Sequence, residues 1–117
     1  SNMSFFQVHF KGKYANDLSP KDYAQKVEDG EYIVLIDVRS AYEFHQKRIP
    51  NAVHYPMEEL IKNVENDYPD KYQTYVLYCN EGILSYQALE HMAKLNYTSV
   101  YDLGGIQTWP YETESDL

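Results

Sequence analysis

Two short runs with no polar interruption constrain this chain more than anything else in it. Ile33-Val34-Leu35-Ile36 and Tyr75-Val76-Leu77-Tyr78 are apolar or aromatic at every position, whereas a strand with one wet face would alternate. Each therefore reads as a strand buried on both sides, and such strands belong to parallel sheets whose crossover helices cover both faces. The intervening segments fit that requirement. Ser19-Pro20-Lys21-Asp22 supplies an N-cap, a proline at the first helical position and an acid in the first turn, so a helix is expected from Pro20 towards Glu28, closed by Gly30. Ser40 can cap a short helix through His45. Helical spacing resumes at Met57 to Ile61, ahead of a polar connection at Asn66 to Asp70. From Ser85 onward Ala88, Leu89, Met92, Ala93 and Leu95 recur at helical spacing, up to a C-cap at Asn96. Further strands are expected at Phe5 to Phe10, in a very short piece bracketed by Pro50 and Pro56, and at Ser99 to Leu103. Gly104-Gly105 then turns the chain into a brief helical stretch before Trp109-Pro110. Strands alternating with helices at this spacing imply βαβ crossovers. The expected fold is an α/β domain with a largely parallel sheet covered by helices on both faces.

Residues 1–117 fit a single domain with its core at about 18–110. A hydrophobic share of 44%, with thirteen tyrosines, is enough to build that core. Ser1-Asn2 before Met3 reads as a cleavage remnant, and the acidic tail 112–117 is expected to fray. A formal net charge of -8 speaks against nucleic acid and against anionic lipid, both of which need basic surface. Small thiols or other proteins are the expected partners. No apolar run approaches the roughly 20 residues of a membrane span, and the N-terminus lacks the basic-then-apolar order of a secretory signal. The expectation is a soluble, cytoplasmic protein. A single cysteine closes off an intramolecular disulfide. His9, His45, His54 and His91 show no metal-ligand spacing to one another or to Cys79, so neither a metal nor a cofactor is expected.

That cysteine, Cys79, ends the second apolar run and opens Asn80-Glu81-Gly82-Ile83-Leu84-Ser85 ahead of a helix. Ligands of parallel sheets gather at the carboxyl ends of strands, where Cys79 and Asp37 both fall. A thiol delivered into a glycine-containing turn before a helix meets backbone N–H groups and the positive end of a helix dipole, a setting suited to a thiolate. Gly82 lets the backbone bend its amides towards sulfur, or simply makes a tight turn. Ser85 has two readings, a hydroxyl donor to sulfur or an N-cap. Asp37 and Arg39 at a strand end read as scaffolding, and Arg39 and Glu43, four apart, can pair across a helical turn.

Three blocks of residues together resemble the rhodanese family of sulfurtransferase-like domains: Asp37-Val38-Arg39 with Glu43-Phe44, Arg48-Ile49-Pro50-Asn51-Ala52 leading to Tyr55-Pro56, and Cys79 with its loop to Ser85. Gly104-Gly105 and Trp109 second them. The resemblance runs from about Ser19 to Trp109 and implies a three-layer α/β domain, with a mostly parallel central sheet of about five strands flanked by helices on both faces, and a cysteine that carries a sulfane sulfur as a persulfide. The donor would be small, such as thiosulfate, or a protein persulfide, and the acceptor a thiol. Catalysis then falls to Cys79, with Asn80, Glu81, Gly82, Ile83, Leu84 and Ser85 as the anion-binding loop and Asp37, Arg39 and Glu43 in support. The chain departs from the family pattern where many active members carry basic loop residues. Here those positions are Asn80 and Leu84, with the acid Glu81 between them, so poor thiosulfate turnover is expected. Arg48 stands where histidine is frequent, and Asn51 where glycine is, although asparagine tolerates positive φ. The same departures leave open a catalytically weak or inactive module that binds a protein or senses oxidants. A cysteine phosphatase would need an arginine closing the loop, and Leu84-Ser85 offers none. The residues are silent on oligomeric state.

Overall fold

The computed structural model describes residues 12–117. The elements run α1 (Pro20–Glu28), β1 (Ile33–Asp37), α2 (Ala41–Gln46), β2 (Val53–His54), α3 (Met57–Asp67), β3 (Thr74–Cys79), α4 (Ile83–Lys94) and β4 (Val100–Gly105), then a 3-10 turn at Ile106–Thr108. The helix signals in the sequence are used as expected. Ser19 Oγ accepts the Asp22 N–H at 3.1 Å with Pro20 at the first helical position, and Ser40 forms a capping box with Glu43.

The strands form one sheet in the order β2-β1-β3-β4, and every neighbouring pair is parallel. Asp17 adds a single parallel bridge to Asp102 at the outer edge. Four strands among the described residues stand against the expected five, because the strand read at 5–10 lies outside the described residues. In β1 and β3 successive side chains point to opposite faces. Ile36 and Leu77 meet Leu60 and Val64 of α3 and Ala88, Leu89 and Met92 of α4, while Leu35, Val76 and Tyr78 face Tyr23 of α1, Leu18 and Ile49. Both faces are thus covered, and burying each such aliphatic chain contributes roughly 1.5–3 kcal/mol.

Tyrosines lock the α3 side. Tyr55, Tyr68, Tyr75 and Tyr97 form an edge-to-face chain with successive centroids 5.2, 5.9 and 5.5 Å apart. Their hydroxyls find partners too, Tyr55 donating to Asp67 and Tyr75 to the Asp70 carbonyl, each at 2.7 Å. These bonds anchor the end of α3, which runs on through Asn66 and Asp67 where a connection was expected.

Three other expectations are corrected. Helix α4 begins at Ile83 rather than near Ser85, because Gly82 takes φ +92 and turns the chain into the helix two residues early. Strand β4 continues through Gly104-Gly105 instead of turning there. Its register against β3 shifts between Leu77↔Asp102 and Tyr78↔Gly104, so Leu103 is bulged and Gly105 lies opposite Cys79. The tail, expected to fray, is tied back: Arg48 and Glu114 exchange backbone hydrogen bonds at 2.9 and 2.8 Å, and the Asp116 carboxylate holds Arg48 at 2.7 Å and His45 at 2.5 Å. The tail's acids find a cation there, since Arg48 lies over the Phe44 ring at 4.7 Å. No helix of the described residues is long and apolar enough to cross a membrane.

Candidate active site

Strand β3 carries Cys79 to its carboxyl end, where the residue is only 2% exposed. Two amides point at it, Gly82 N–H at 3.0 Å and Ser85 N–H at 3.3 Å. The reason lies in the helix start. Gly82 is the N-cap residue and has no side chain with which to take the orphan amides of the first turn. Ser85 occupies the third helical position, whose N–H an N-cap oxygen ordinarily accepts. Cys79 Sγ takes that place.

Ser85 is not the helix N-cap, which is Gly82. It lies inside the helix, and its hydroxyl donates to Asp102 Oδ1 at 2.8 Å. A hydroxyl has one proton, so with that proton on Asp102 the oxygen can only accept, and the Cys79 thiol donates to it at 3.4 Å. Asp102 Oδ1 also accepts the Gly104 N–H at 2.9 Å. Sequence reasoning missed Asp102. Its signal was an acid placed between Tyr101 and Leu103 in an otherwise apolar strand, at 2% exposure.

Asn80 braces the side of the loop. Its Oδ1 accepts from Arg39 Nη1 at 3.1 Å, and its Nδ2 donates to Glu43 Oε2. Arg39 is itself held by Asp37, with Nε 3.1 and 3.2 Å and Nη2 2.8 Å from the carboxylate, both residues being buried. Burial opposes the Arg39 charge, but the hydrogen bonds and charge of Asp37 outweigh it and raise the guanidinium pKa. The expected Arg39–Glu43 pair does not form. Arg39 precedes the Ser40 cap and lies off helix α2, whereas Glu43 turns back to Ser40 and across to Asn80. Those hydrogen bonds, the Ser40 backbone N–H first, hold the Glu43 carboxyl below its usual pKa against the effect of burial.

The back of the loop rests on Gly105. A Cβ there would sit 2.3 Å from the Asn80 carbonyl oxygen and 2.9 Å from Glu81 Cα, so β4 and the loop approach as closely as only glycine allows. In front, a cavity of about 460 Å³ is lined by Arg39, Glu43, Cys79, Asn80, Glu81, Ile83, Leu84 and Gln107. Most of the residues singled out in the sequence thus line one opening. Gly82 and Ser85 act through their amides beneath it, and Asp37 lies behind Arg39. Gln107, brought in by the 3-10 turn after β4, carried no signal in the sequence. A second cavity of about 270 Å³, on the α1 side between Tyr23, Ile49, Trp109 and Tyr111, is not lined by the cysteine.

The arrangement offers a buried sulfur with amides directed at it and an opening in front. It can stabilise negative charge on sulfur at a point that a small molecule or an extended side chain can reach.

Comparison with known proteins agrees with this picture. The model of the rhodanese-like domain matches residues 19–111. A sulfurtransferase of Allochromatium vinosum is 35% identical over 95 residues, covering 80% of this chain and 87% of that protein. A thiosulfate sulfurtransferase of Escherichia coli is 35% identical over 72 residues, 62% of this chain and 69% of that one. Among solved structures, an E. coli rhodanese with anions superposes with a TM-score of 0.65 at 30% identity, covering 72% of this chain and 99% of that one.

Proposed function

The chain belongs to the rhodanese-like domain family, and from that we propose that it is a sulfurtransferase or sulfur carrier working through a persulfide on Cys79. In the first half-reaction the Cys79 thiolate attacks the sulfane sulfur of a donor. The new S–S bond forms as the donor's own bond to that sulfur breaks, and the donor remnant leaves with the electron pair. In the second, an acceptor thiolate attacks the outer sulfur and Cys79 departs as thiolate. Sulfur at position 79 is anionic at the start and end of the cycle, and the amides that would bear that charge are those of Gly82 and Ser85. Asn80, Glu81, Ile83 and Leu84 complete the cradle and its rim, while Asp37, Arg39 and Glu43 hold it in shape. Thiosulfate enters as a candidate donor from the names of relatives, and a persulfide from the chemistry. A free working thiol suits a reducing compartment such as the cytoplasm.

The single observation that carries this reading is the pair of amides on Cys79 Sγ at the edge of an open cavity. Its test is the intact mass of the protein after exposure to thiosulfate and to a low-molecular-weight persulfide, with Cys79→Ser as control. The expected result is a gain of one sulfur atom, lost in the variant and discharged by added thiol. A folded protein that takes up no sulfur from any donor overturns it. That outcome would support a second reading, a binding or redox-sensing module without turnover. It draws on the pairing of the cavity's only lining cation, Arg39, with Asp37.

A further inference from the structure

We propose that the cavity in front of Cys79 selects its sulfur donor by charge, taking persulfides whose neighbouring groups are neutral or cationic and disfavouring the thiosulfate dianion; this rests on the sulfur-transfer reading above. Among the lining residues the charged groups are Arg39, Glu43 and Glu81. The guanidinium of Arg39 is turned onto Asp37 in a two-pronged contact, with its remaining reach taken by Asn80 and the Lys47 carbonyl. Its charge is matched before any ligand arrives. Glu43 is held in its ionised form by the Ser40 and Asn80 donors, and Glu81 is exposed on the loop itself. Three carboxylates, those of Asp37, Glu43 and Glu81, therefore stand at or behind the opening against one guanidinium, whose charge also acts on Glu43. The rest of the rim is part apolar, with Ile83 and Leu84 each 41% exposed, and part neutral polar, with Asn80 and Gln107. A dianion pays for the field of those carboxylates twice over, whereas an aliphatic persulfide bearing an ammonium gains from it and can lay its methylenes on Ile83 and Leu84.

The favoured loading step is balanced. The Cys79 thiolate attacks the outer sulfur of R–S–SH, the R–S to S bond breaks, and R–S⁻ leaves with the electron pair. The outer sulfur keeps its proton or yields it to water.

The test is the second-order rate of sulfur loading on Cys79, read by intact mass, with thiosulfate, glutathione persulfide and cysteamine persulfide as probes at low and at high salt. Intrinsic donor reactivities differ, so the sign of the salt effect is decisive. Salt is expected to slow loading from cysteamine persulfide and to speed loading from thiosulfate. The overall charge of -8 would give the same signs from anywhere on the surface, so two variants locate the effect. Glu81→Lys changes charge at the opening, and Glu28→Lys makes the same change at the end of α1, against the opposite end of the sheet. Glu81→Lys should raise the thiosulfate to cysteamine persulfide rate ratio by about tenfold over Glu28→Lys. Equal ratios in the two variants, or thiosulfate loading that falls with salt in the unaltered protein, would overturn the inference while leaving sulfur transfer intact. Failure to load from all three donors would instead remove the reading on which it stands.

Discussion

Replacing Gly105 with alanine isolates the contact that supports the sulfur loop from behind. Gly105 has φ -99 and ψ 138, a backbone any residue adopts, so the variant carries no conformational penalty of its own. All of its cost is steric. The added carbon would stand 2.3 Å from the Asn80 carbonyl oxygen, and 2.9 Å from both the carbonyl carbon and Glu81 Cα. Ordinary contact requires the loop to retreat by about 1 Å. All three atoms are backbone, and Asn80 is fastened on its other side to Arg39 and Glu43, so no flexible chain can swing away. Overpacking of this kind costs about 1–3 kcal/mol, and loosening the Asn80 bonds to charged partners adds about 1–2 kcal/mol. Gly104→Ala is the matched control. Nothing lies within 4 Å of its Cβ, but its φ of +86 costs a side chain roughly 1–2 kcal/mol. Urea unfolding followed by tyrosine and tryptophan fluorescence gives both stabilities, and intact mass gives sulfur loading. Gly105→Ala should be the less stable of the two and should lose most of its loading, while Gly104→Ala keeps loading near normal. A Gly105→Ala protein as stable and as readily loaded as the parent would refute the close-approach argument outright.

Asn80→Ala removes both ties between the loop and the Arg39–Glu43 side, and should cost about 1–3 kcal/mol in urea unfolding along with slower sulfur loading. For the helix start, Cys79→Ser keeps an acceptor for the Gly82 and Ser85 amides and Cys79→Ala does not, so the alanine variant should unfold more easily by about 1 kcal/mol. At acid pH, Arg48 and then His45 hold the Asp116 carboxyl at about 2, below its usual 3.8. A depressed carboxylate stabilises the fold fully above its unfolded pKa and ceases to do so as pH falls through the folded one. Asp116→Asn should therefore be less stable than the parent at pH 6 by thermal unfolding, with the difference closing only as pH falls below about 2. At alkaline pH the sign reverses. Burial raises Tyr75 to about 12, and Tyr55 and Tyr78 are raised as well. Their contribution is complete below pH 10 and is lost as pH climbs through 12, so stability should fall over that interval, with phenolate absorbance at 295 nm rising as the fold melts.

What the sequence made legible is what local chemistry specifies. Uninterrupted runs at Ile33 and Tyr75 announced doubly covered strands, Ser19-Pro20 and Ser40 announced their helices, and a lone cysteine at a strand end pointed to the candidate site. Asn51 at φ 72 does what a glycine would. What escaped depends on distance along the chain. Arg39 and Glu43 look paired at four residues apart, but Ser40 begins the helix between them, and Asn80, some forty residues on, is what each one meets. Glu114 and Asp116 look like solvated tail until Arg48 and His45 are brought alongside. Gly104-Gly105 spells a turn by composition, and only the register against Cys79 explains why the second glycine must be one.

The sulfur loop can dispense with side-chain cations because the thiol is already part of the fold's hydrogen-bond accounting. A helix whose N-cap is glycine leaves amides of its first turn seeking an acceptor, and at the start of α4 the Cys79 sulfur meets that need. Amides bonded in this way cannot turn away from the sulfur without cost to the helix, so the dipoles that the proposed thiolate would require are oriented before any donor arrives. A cation at position 84 would add attraction for an anionic donor but would not improve that orientation. Its absence therefore bears on which donor is drawn in, through Glu43, Glu81 and the partly apolar rim, and much less on whether sulfur at position 79 can carry charge. Separating the two effects is what allows a rhodanese-like loop to lose its basic residues and keep its geometry.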